Sequence, residues 1–242
     1  MRSGNPALKN EVFMKKYGKE GGMTLQGTVN KTMVLALLVF LTSMISWNLF
    51  SVNPTSAYPV MLIGAIGGLI VALVTIFKPS ASPLSAPLYA LLEGLFIGGV
   101  SASYNSQYGG IVIQAVLITF AVLFSLLIVY KSGWIRVTQN FRLGVMAATG
   151  GIFIVYLLSF VGSLIGFQIP FLHDASPIGI LISLAIVIVA SLNLVLDFDF
   201  IERGAEADAP KYMEWYGAFG LMVTLIWLYL EILRLLAKLN KR

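Results

Sequence analysis

The sequence predicts an all-α integral membrane protein built as a bundle of about seven transmembrane helices. Of its 242 residues, 58% are hydrophobic and only 11% are charged, whereas a soluble domain is nearer a quarter charged. Seven apolar stretches are each long enough to cross the hydrocarbon core, which takes about 20 residues. A transmembrane β-barrel would instead show alternating segments of about 10 residues, so the composition and the segment lengths together favour helices.

The predicted spans follow one another through short connections. They cover about residues 32–50, 58–77, 83–104, 110–130, 143–166, 176–200 and 213–236. The connections contain turn-forming residues, as in "SVNPTSA", "KPSAS", "NSQYG", "IPFLHDASP" and "RGAEADAP". We therefore expect a basic N-terminal tail over residues 1–31 and a single seven-helix domain over residues 32–242.

The distribution of Lys and Arg predicts the orientation. Basic residues occur in the second, fourth and sixth connections and are missing from the first, third and fifth. Since cytoplasmic connections are enriched in these residues, we expect the N-terminus in the cytoplasm, with a retained tail that is solvated or touches anionic headgroups. Seven crossings place the C-terminus outside. The early helices usually dominate topology, so we expect seven crossings. The alternative that the last segment dips in and returns stays open because four basic residues lie near the C-terminus: Arg234, Lys238, Lys241 and Arg242.

The residue types present exclude several kinds of chemistry. There is no cysteine and only one histidine, His173, so thiolate chemistry and multi-histidine metal sites are excluded. His173 lies in a short connection and not in a span, which disfavours a serine protease. The Gly-x-Gly-Asp setting of intramembrane aspartyl proteases is absent, as are metalloprotease and phosphate-binding motifs. We expect no enzyme, no resident cofactor and no nucleic-acid partner; an intramembrane enzyme stays as a third alternative.

Glu93 is the clearest ionisable residue within a span. It lies midway along the third span in "YALLEGLFIGG", and an ionised group at such a depth costs about 2.5–3.5 kcal/mol. Gly94 and Gly98 follow it as a small-xxx-small pair, which lets another helix approach closely. Two interpretations remain open: a functional carboxyl, or a neutral Glu that hydrogen-bonds between helices.

Asp197 is the second candidate. If the sixth helix continues through "DFDFIE", Asn193 and Asp197 lie four residues apart on one face. Asp199 lies about 200° further round, so the two aspartates point to different sides. We expect Asp197 to be buried with Asn193 extending a polar stripe inward, and Asp199 and Glu202 to mark the membrane exit.

Two acids lie in the last span. Glu214 is near the helix N-terminus, where the helix dipole favours a carboxylate, and its neighbours Trp215 and Tyr216 suit the membrane interface. Glu231 has Arg234 three residues later, and we expect an intrahelical ion pair. A partner for Glu231 across the bundle remains possible.

Such buried acids point to ion handling. Carboxylate oxygens bind hard cations such as Ca²⁺, and two carboxyls that approach closely share a proton, which makes a pH switch without histidine. Asp197 and Glu93 are the expected calcium contacts. The candidate ion pathway or pH switch comprises Asp197, Glu93, Asn193, Glu231, Glu214 and Asp199.

Three stretches give the chain a family resemblance: "LLEGLFIGG", "LVLDFDFIE" and "LYLEILRLLAKL". On these it resembles the Bax inhibitor-1 family, the transmembrane Bax inhibitor motif proteins, and its opening "MRSGNPAL" with the basic tail resembles a bacterial branch. The resemblance covers nearly the whole chain in layout. It implies a bacterial inner-membrane protein whose last helix is central in the bundle.

The resemblance also implies a pH-sensitive Ca²⁺ leak that uses a hydrogen-bonded aspartate pair between the sixth and seventh helices. Asp197 matches the first aspartate, and Glu93 matches the family's Glu-Gly. The last span contains no aspartate, and the second position falls near Thr224. A variant latch that uses Glu214, Glu231 or Asp199 and a loss of pH gating are both open.

Two functions therefore compete. The first is a passive, proton-modulated leak for a cation, with calcium expected. The second is a regulator without transport of its own, which would bind a membrane protease or a stress-response partner through its basic N-terminal tail. In either case the protein is embedded in the lipid bilayer.

Overall fold

Seven long helices make up the computed structural model of the chain, which describes residues 21–166 and 174–241. They are α1 (Leu25–Val52), α2 (Pro54–Phe77), α3 (Ser82–Gln107), α4 (Ile111–Lys131), α5 (Gln139–Leu164), α6 (Pro177–Glu206) and α7 (Met213–Asn240), with a 3₁₀ turn at Pro79–Ala81. Each long helix has the length and the apolar composition to cross a membrane. The predicted all-α membrane bundle is confirmed.

The helices extend beyond the predicted apolar spans. α1 begins at Leu25, so residues 25–31, which we assigned to the tail, form its first two turns; residues 1–20 and His173 lie outside the described residues. Thr24 starts this helix because its side chain accepts a hydrogen bond from the backbone N–H of Gly27 at 3.0 Å. α6 likewise continues through "DFDFIE" to Glu206. Hydropathy marks the part of a helix in hydrocarbon, whereas capping residues set where the helix begins.

Three other helices, α2, α5 and α6, begin with a polar capping side chain, and in α2 and α6 a proline follows it. Asn53 accepts a hydrogen bond from the N–H of Thr55 and is followed by Pro54 at the first helical position of α2. Ser176 accepts from the N–H of Gly179 and is followed by Pro177 in α6. The polar cap accepts a hydrogen bond from one of the free backbone N–H groups of the first turn, and proline has no N–H that would need a partner there.

The last helix is central, as the resemblance implied. α7 packs against α1, α3, α4 and α6, whereas α2 packs against α1 and α3 at the periphery. Leu228 and Leu233 of α7 and Leu194 of α6 are completely buried. The backbone of α5 packs mainly against α6 among the described helices, and its Tyr156 side chain reaches α7.

Glycines on α3 allow its close contact with α1. A Cβ on Gly94 would lie 1.9 Å from Thr42 Oγ1, and one on Gly98 would lie 2.1 Å from the carbonyl oxygen of Ser43. No side chain fits at such distances. The predicted small-residue interface is confirmed, and its partner is α1.

Contacts among the connections define two ends of the bundle. At one end, the N–H of Met23 donates to the carbonyl of Ala209 at 2.7 Å, and Ser82 Oγ donates to the carbonyl of Tyr212 at 2.9 Å. We call this the basic end, because its helix termini and connections carry Lys31, Lys78, Lys131, Arg136, Arg142, Arg203 and Lys211. The far end is the opposite one, where α6 begins and α7 finishes.

Candidate functional site

Asp197 lies between α6 and the central helix. Its carboxyl group lies beside the side chain of Thr224 of α7, and Oδ1 lies 3.9 Å from the place that a Cβ on Gly220 would take. The other oxygen, Oδ2, is buried and has no hydrogen-bond partner among the described residues. A buried carboxyl oxygen without a partner is costly for folding, so this position is a candidate for function.

Thr224 therefore occupies the place opposite Asp197 where the resemblance located a second aspartate. A threonine hydroxyl can donate or accept a hydrogen bond but carries no charge. The three acids offered as alternative partners, Glu214, Glu231 and Asp199, each have other partners. The described residues show no carboxylate pair at Asp197.

Asp197 and Thr224 lie deep in the bundle. Asp197 is nine residues from the end of α6 and Thr224 is 11 residues from the start of α7. At a rise of 1.5 Å per residue, these positions are about 14 Å and about 16 Å from the basic end. Both therefore lie about three helical turns inside the basic end of the bundle.

Glu93 lies at a similar depth but at a different interface. Its Oε2 is 2.6 Å from the position of a Cβ on Gly68, so the carboxyl group packs against the backbone of α2. Tyr89 lies one turn earlier on α3 and interacts electrostatically with Glu93. Asp197 and Glu93, the expected calcium contacts, thus contact different helices.

Asn193 lies one turn from Asp197 and its side chain reaches α5. Its Nδ2 donates to Thr149 Oγ1 at 2.8 Å and to the carbonyl of Val189 at 2.9 Å. The polar stripe of α6 is therefore divided: Asn193 ties α6 to α5, and Asp197 faces α7.

Asp199 is held by two arginines at the basic end. Arg142 Nη2 donates to Oδ2 at 2.6 Å, and Arg203 Nε donates to Oδ1 at 2.9 Å. Asp199 is buried, whereas Glu202 is exposed and accepts a hydrogen bond from Tyr130. The two aspartates thus point to different neighbours, as the helix geometry predicted.

Glu214 is the most completely enclosed acid of the described residues, with 0% exposure. Thr24 donates to Oε1 through its backbone N–H at 2.9 Å and its hydroxyl at 2.7 Å, Lys211 donates to the same oxygen at 2.7 Å, and Lys31 is paired with Oε2. The helix-dipole interpretation accounts for its place in the first turn of α7. The sequence did not predict that Glu214 would also join the start of α1 to the α6–α7 connection; we call these contacts the Glu214 junction.

Glu231 forms a second buried cluster toward the far end. The predicted ion pair with Arg234 is confirmed at 3.1 Å, and Glu231 itself is 2% exposed. Tyr156 of α5 donates to Glu231 Oε1 at 2.7 Å and accepts from Arg234 Nη1 at 2.5 Å. Trp227 Nε1 also donates to Glu231 at 3.3 Å. The partner across the bundle is thus a tyrosine.

A single face of α7 carries these polar positions. Thr224, Glu231 and Lys238 follow at intervals of seven residues, or about two turns, and all are buried. Lys238 donates to the carbonyl of Gly179 in the first turn of α6 at 3.0 Å. A column of polar groups therefore runs along the α7 face that meets α6 and α5, from mid-depth to the far end.

Sequence spacing alone missed most cross-helix partners. The Lys211–Glu214 and Asp199–Arg203 pairs are three and four residues apart, so helical spacing could have found them. The contacts of Lys31, Arg142 and Tyr156 join distant segments, and no local pattern indicates them.

Comparison with known proteins adds one match. A family model described as Bax inhibitor 1 like matches residues 5–241, nearly the whole chain. No curated protein matches it. The match confirms the resemblance that the three sequence stretches predicted.

Proposed function

Because the chain belongs to the Bax inhibitor 1 like family, we propose that it is a passive cation leak modulated by protons, with calcium as the cation. The chain is an integral membrane protein. We place it in a bacterial inner membrane because its opening "MRSGNPAL" resembles a bacterial branch of the family. We place its N-terminus in the cytoplasm because seven basic residues lie at the end of the bundle where α1 begins.

The observation that carries the proposal is the unpartnered Oδ2 of Asp197, buried between α6 and α7 about three helical turns inside the basic end of the bundle. A carboxylate there can give a hard cation an oxygen ligand, and protonation removes the negative charge and occupies one of the lone pairs that would bind the cation. Within the described residues, no three acidic or histidine side chains gather as a metal-holding group. A single carboxylate with one hydroxyl suits transient passage better than tight retention.

The absence of a facing aspartate changes the expected switch. Two carboxyls can share a proton and form a latch, whereas Asp197 and Thr224 have only one titratable proton between them. We therefore propose that protons act on the leak by neutralising Asp197 and not by closing a carboxyl pair. Glu93, at another interface, is proposed to modulate the flux through packing of α2 on α3.

The leak is tested with purified protein in liposomes that contain a calcium-sensitive dye. We expect calcium flux above that of empty vesicles, with a dependence on pH over about pH 6 to 8, a range in which only histidine and perturbed groups titrate. Asp197→Asn should remove most of that dependence. Glu206→Gln, which changes an exposed acid on the same helix, is the matched control, and His173→Gln accounts for the single histidine.

The leak is rejected if flux equals that of empty vesicles across this range. If the leak persists but Asp197→Asn and Glu206→Gln behave alike, the role of Asp197 is rejected while transport stands. Glu93→Gln should change the size of the flux while leaving its pH dependence in place.

The second candidate function is regulation of a membrane protease or stress-response partner without transport. The way the segment after the tail is attached to the bundle favours this function. Met23 contacts the α6–α7 connection, and Thr24 contacts the buried Glu214. Deleting residues 1–20 should abolish such regulation and leave any ion flux intact. A deletion that leaves partner activity unchanged would reject this alternative.

A further inference from the structure

The basic end contains an open cavity of about 570 Å³. It lies between the end of α4, the connection over residues 132–138 and the end of α6. The polar residues that line it are Tyr130, Lys131, Arg136, Asp199, Glu202 and Arg203. Neither the leak nor the regulatory function uses this cavity.

Two cationic side chains at the cavity, Lys131 and Arg136, are available to bind an anion. Both oxygens of Asp199 accept hydrogen bonds from arginines, and Glu202 accepts one from Tyr130. Lys131 and Arg136 are exposed and form no ion pair within residues 21–166 and 174–241. Guanidinium and ammonium groups without a carboxylate partner suit a phosphate, which accepts charge-assisted hydrogen bonds from both.

The surroundings of the cavity suit an amphiphile. Trp134, in the connection that borders it, has 83% of its surface exposed, and tryptophan side chains favour the membrane–water interface. α4 and α5 both pack against α6 but make little contact with each other. Each exposes large apolar side chains near this end, such as Ile128 and Met146. The gap between these helices can hold acyl chains directly below a cationic cavity.

We propose that this cavity binds the phosphate headgroup of an anionic phospholipid, with its acyl chains along the gap between α4 and α5. Basic pockets between transmembrane helices bind anionic headgroups in this way. Lys131 and Arg136 contact the phosphate, and the two arginines on Asp199 keep that acid from repelling it. The lipid would join the α4–α5 connection to the end of α6, next to the segment that carries Asp197.

The test measures quenching of Trp134 by lipids with brominated acyl chains. The full-length protein is reconstituted in phosphatidylcholine vesicles with a small, equal fraction of brominated phosphatidylglycerol or brominated phosphatidylcholine. Trp134→Phe identifies its part of the signal, because the chain has four tryptophans. We expect stronger quenching by phosphatidylglycerol, and the double variant Lys131→Gln/Arg136→Gln should lower that lipid's relative association constant by about 30-fold.

A double variant with the same loss of charge, Lys78→Gln/Lys241→Gln, is the control, since both lysines are exposed away from the cavity. The proposal is overturned if the two brominated lipids quench Trp134 equally, or if the control variant loses as much preference as Lys131→Gln/Arg136→Gln. Displacement of phosphatidylglycerol from the wild-type protein by added inorganic phosphate would also overturn it and identify a site for soluble phosphate.

Discussion

Glu214→Ala is expected to destabilise the bundle strongly, because it removes the acceptor at a junction of three chain segments. The carboxylate is 0% exposed and has hydrogen bonds from Thr24, Lys31 and Lys211. Removing one partner of a buried ion pair costs about 3–5 kcal/mol. The Lys211 side chain is 45% exposed and can return to water. We therefore expect a loss of about 3 kcal/mol in the free energy of unfolding, at the low end of that range.

The assay is SDS-induced unfolding in mixed micelles, followed by tryptophan fluorescence. Glu206→Ala, an exposed acid near the same end, should change the free energy of unfolding by less than about 0.5 kcal/mol. Lys31→Met should cost more than Lys211→Met, since the side chain of Lys31 is only 19% exposed against 45%. A loss below about 1 kcal/mol for Glu214→Ala, or the reverse order of the lysines, would refute the structural role we assign to this junction.

Two further predictions concern packing and the far-end cluster. Gly98→Ala places a Cβ 2.1 Å from the carbonyl oxygen of Ser43 and should cost about 2 kcal/mol of unfolding free energy. Its control is Gly150→Ala, in open space on α5, which should be neutral or stabilise the protein by up to about 1 kcal/mol. Equal effects of the two variants would contradict the contact of α1 with α3. Tyr156→Phe removes hydrogen bonds to the Glu231–Arg234 ion pair on α7 and should lower the free energy of unfolding by about 2 kcal/mol. Tyr58→Phe, at an exposed tyrosine, is the control in the same unfolding assay.

Much of the fold follows from local properties of the sequence. Seven spans can be found by hydropathy because a helix in hydrocarbon must satisfy its own backbone and present apolar side chains. The contact of α1 with α3 could be anticipated on one side from Gly94 and Gly98. The α1 side of this contact could not be anticipated. Thr42 and Ser43 lie in an ordinary apolar run, and only the packing of the helices brings them to the glycines.

The candidate site was less accessible to sequence reasoning. Asp197 and its depth follow from the position of an acid in an apolar helix. The neighbour of Asp197 was inferred only from the family resemblance, which pointed to the position that Thr224 occupies. The partners of Asp199 and Glu214 that come from other helices, Arg142 and Lys31, depend on how distant segments pack, and no spacing within a single helix encodes that.

The polar face of α7 has a consequence for how the protein is made. The most apolar 18-residue stretch of α7 has a mean hydropathy of 1.8, against 2.7 for α2 and 2.8 for α4, and the helix carries Glu231, Arg234 and Lys238 within its length. Inserted alone, such a helix would leave the Glu231–Arg234 ion pair and Lys238 facing lipid. The residues that accommodate it, among them Tyr156 and Gly179, all precede it in the chain. Synthesis therefore delivers the central helix after the helices that hold these partners, and a permuted chain that began with α7 would present its charges to the bilayer before the partners on other helices existed.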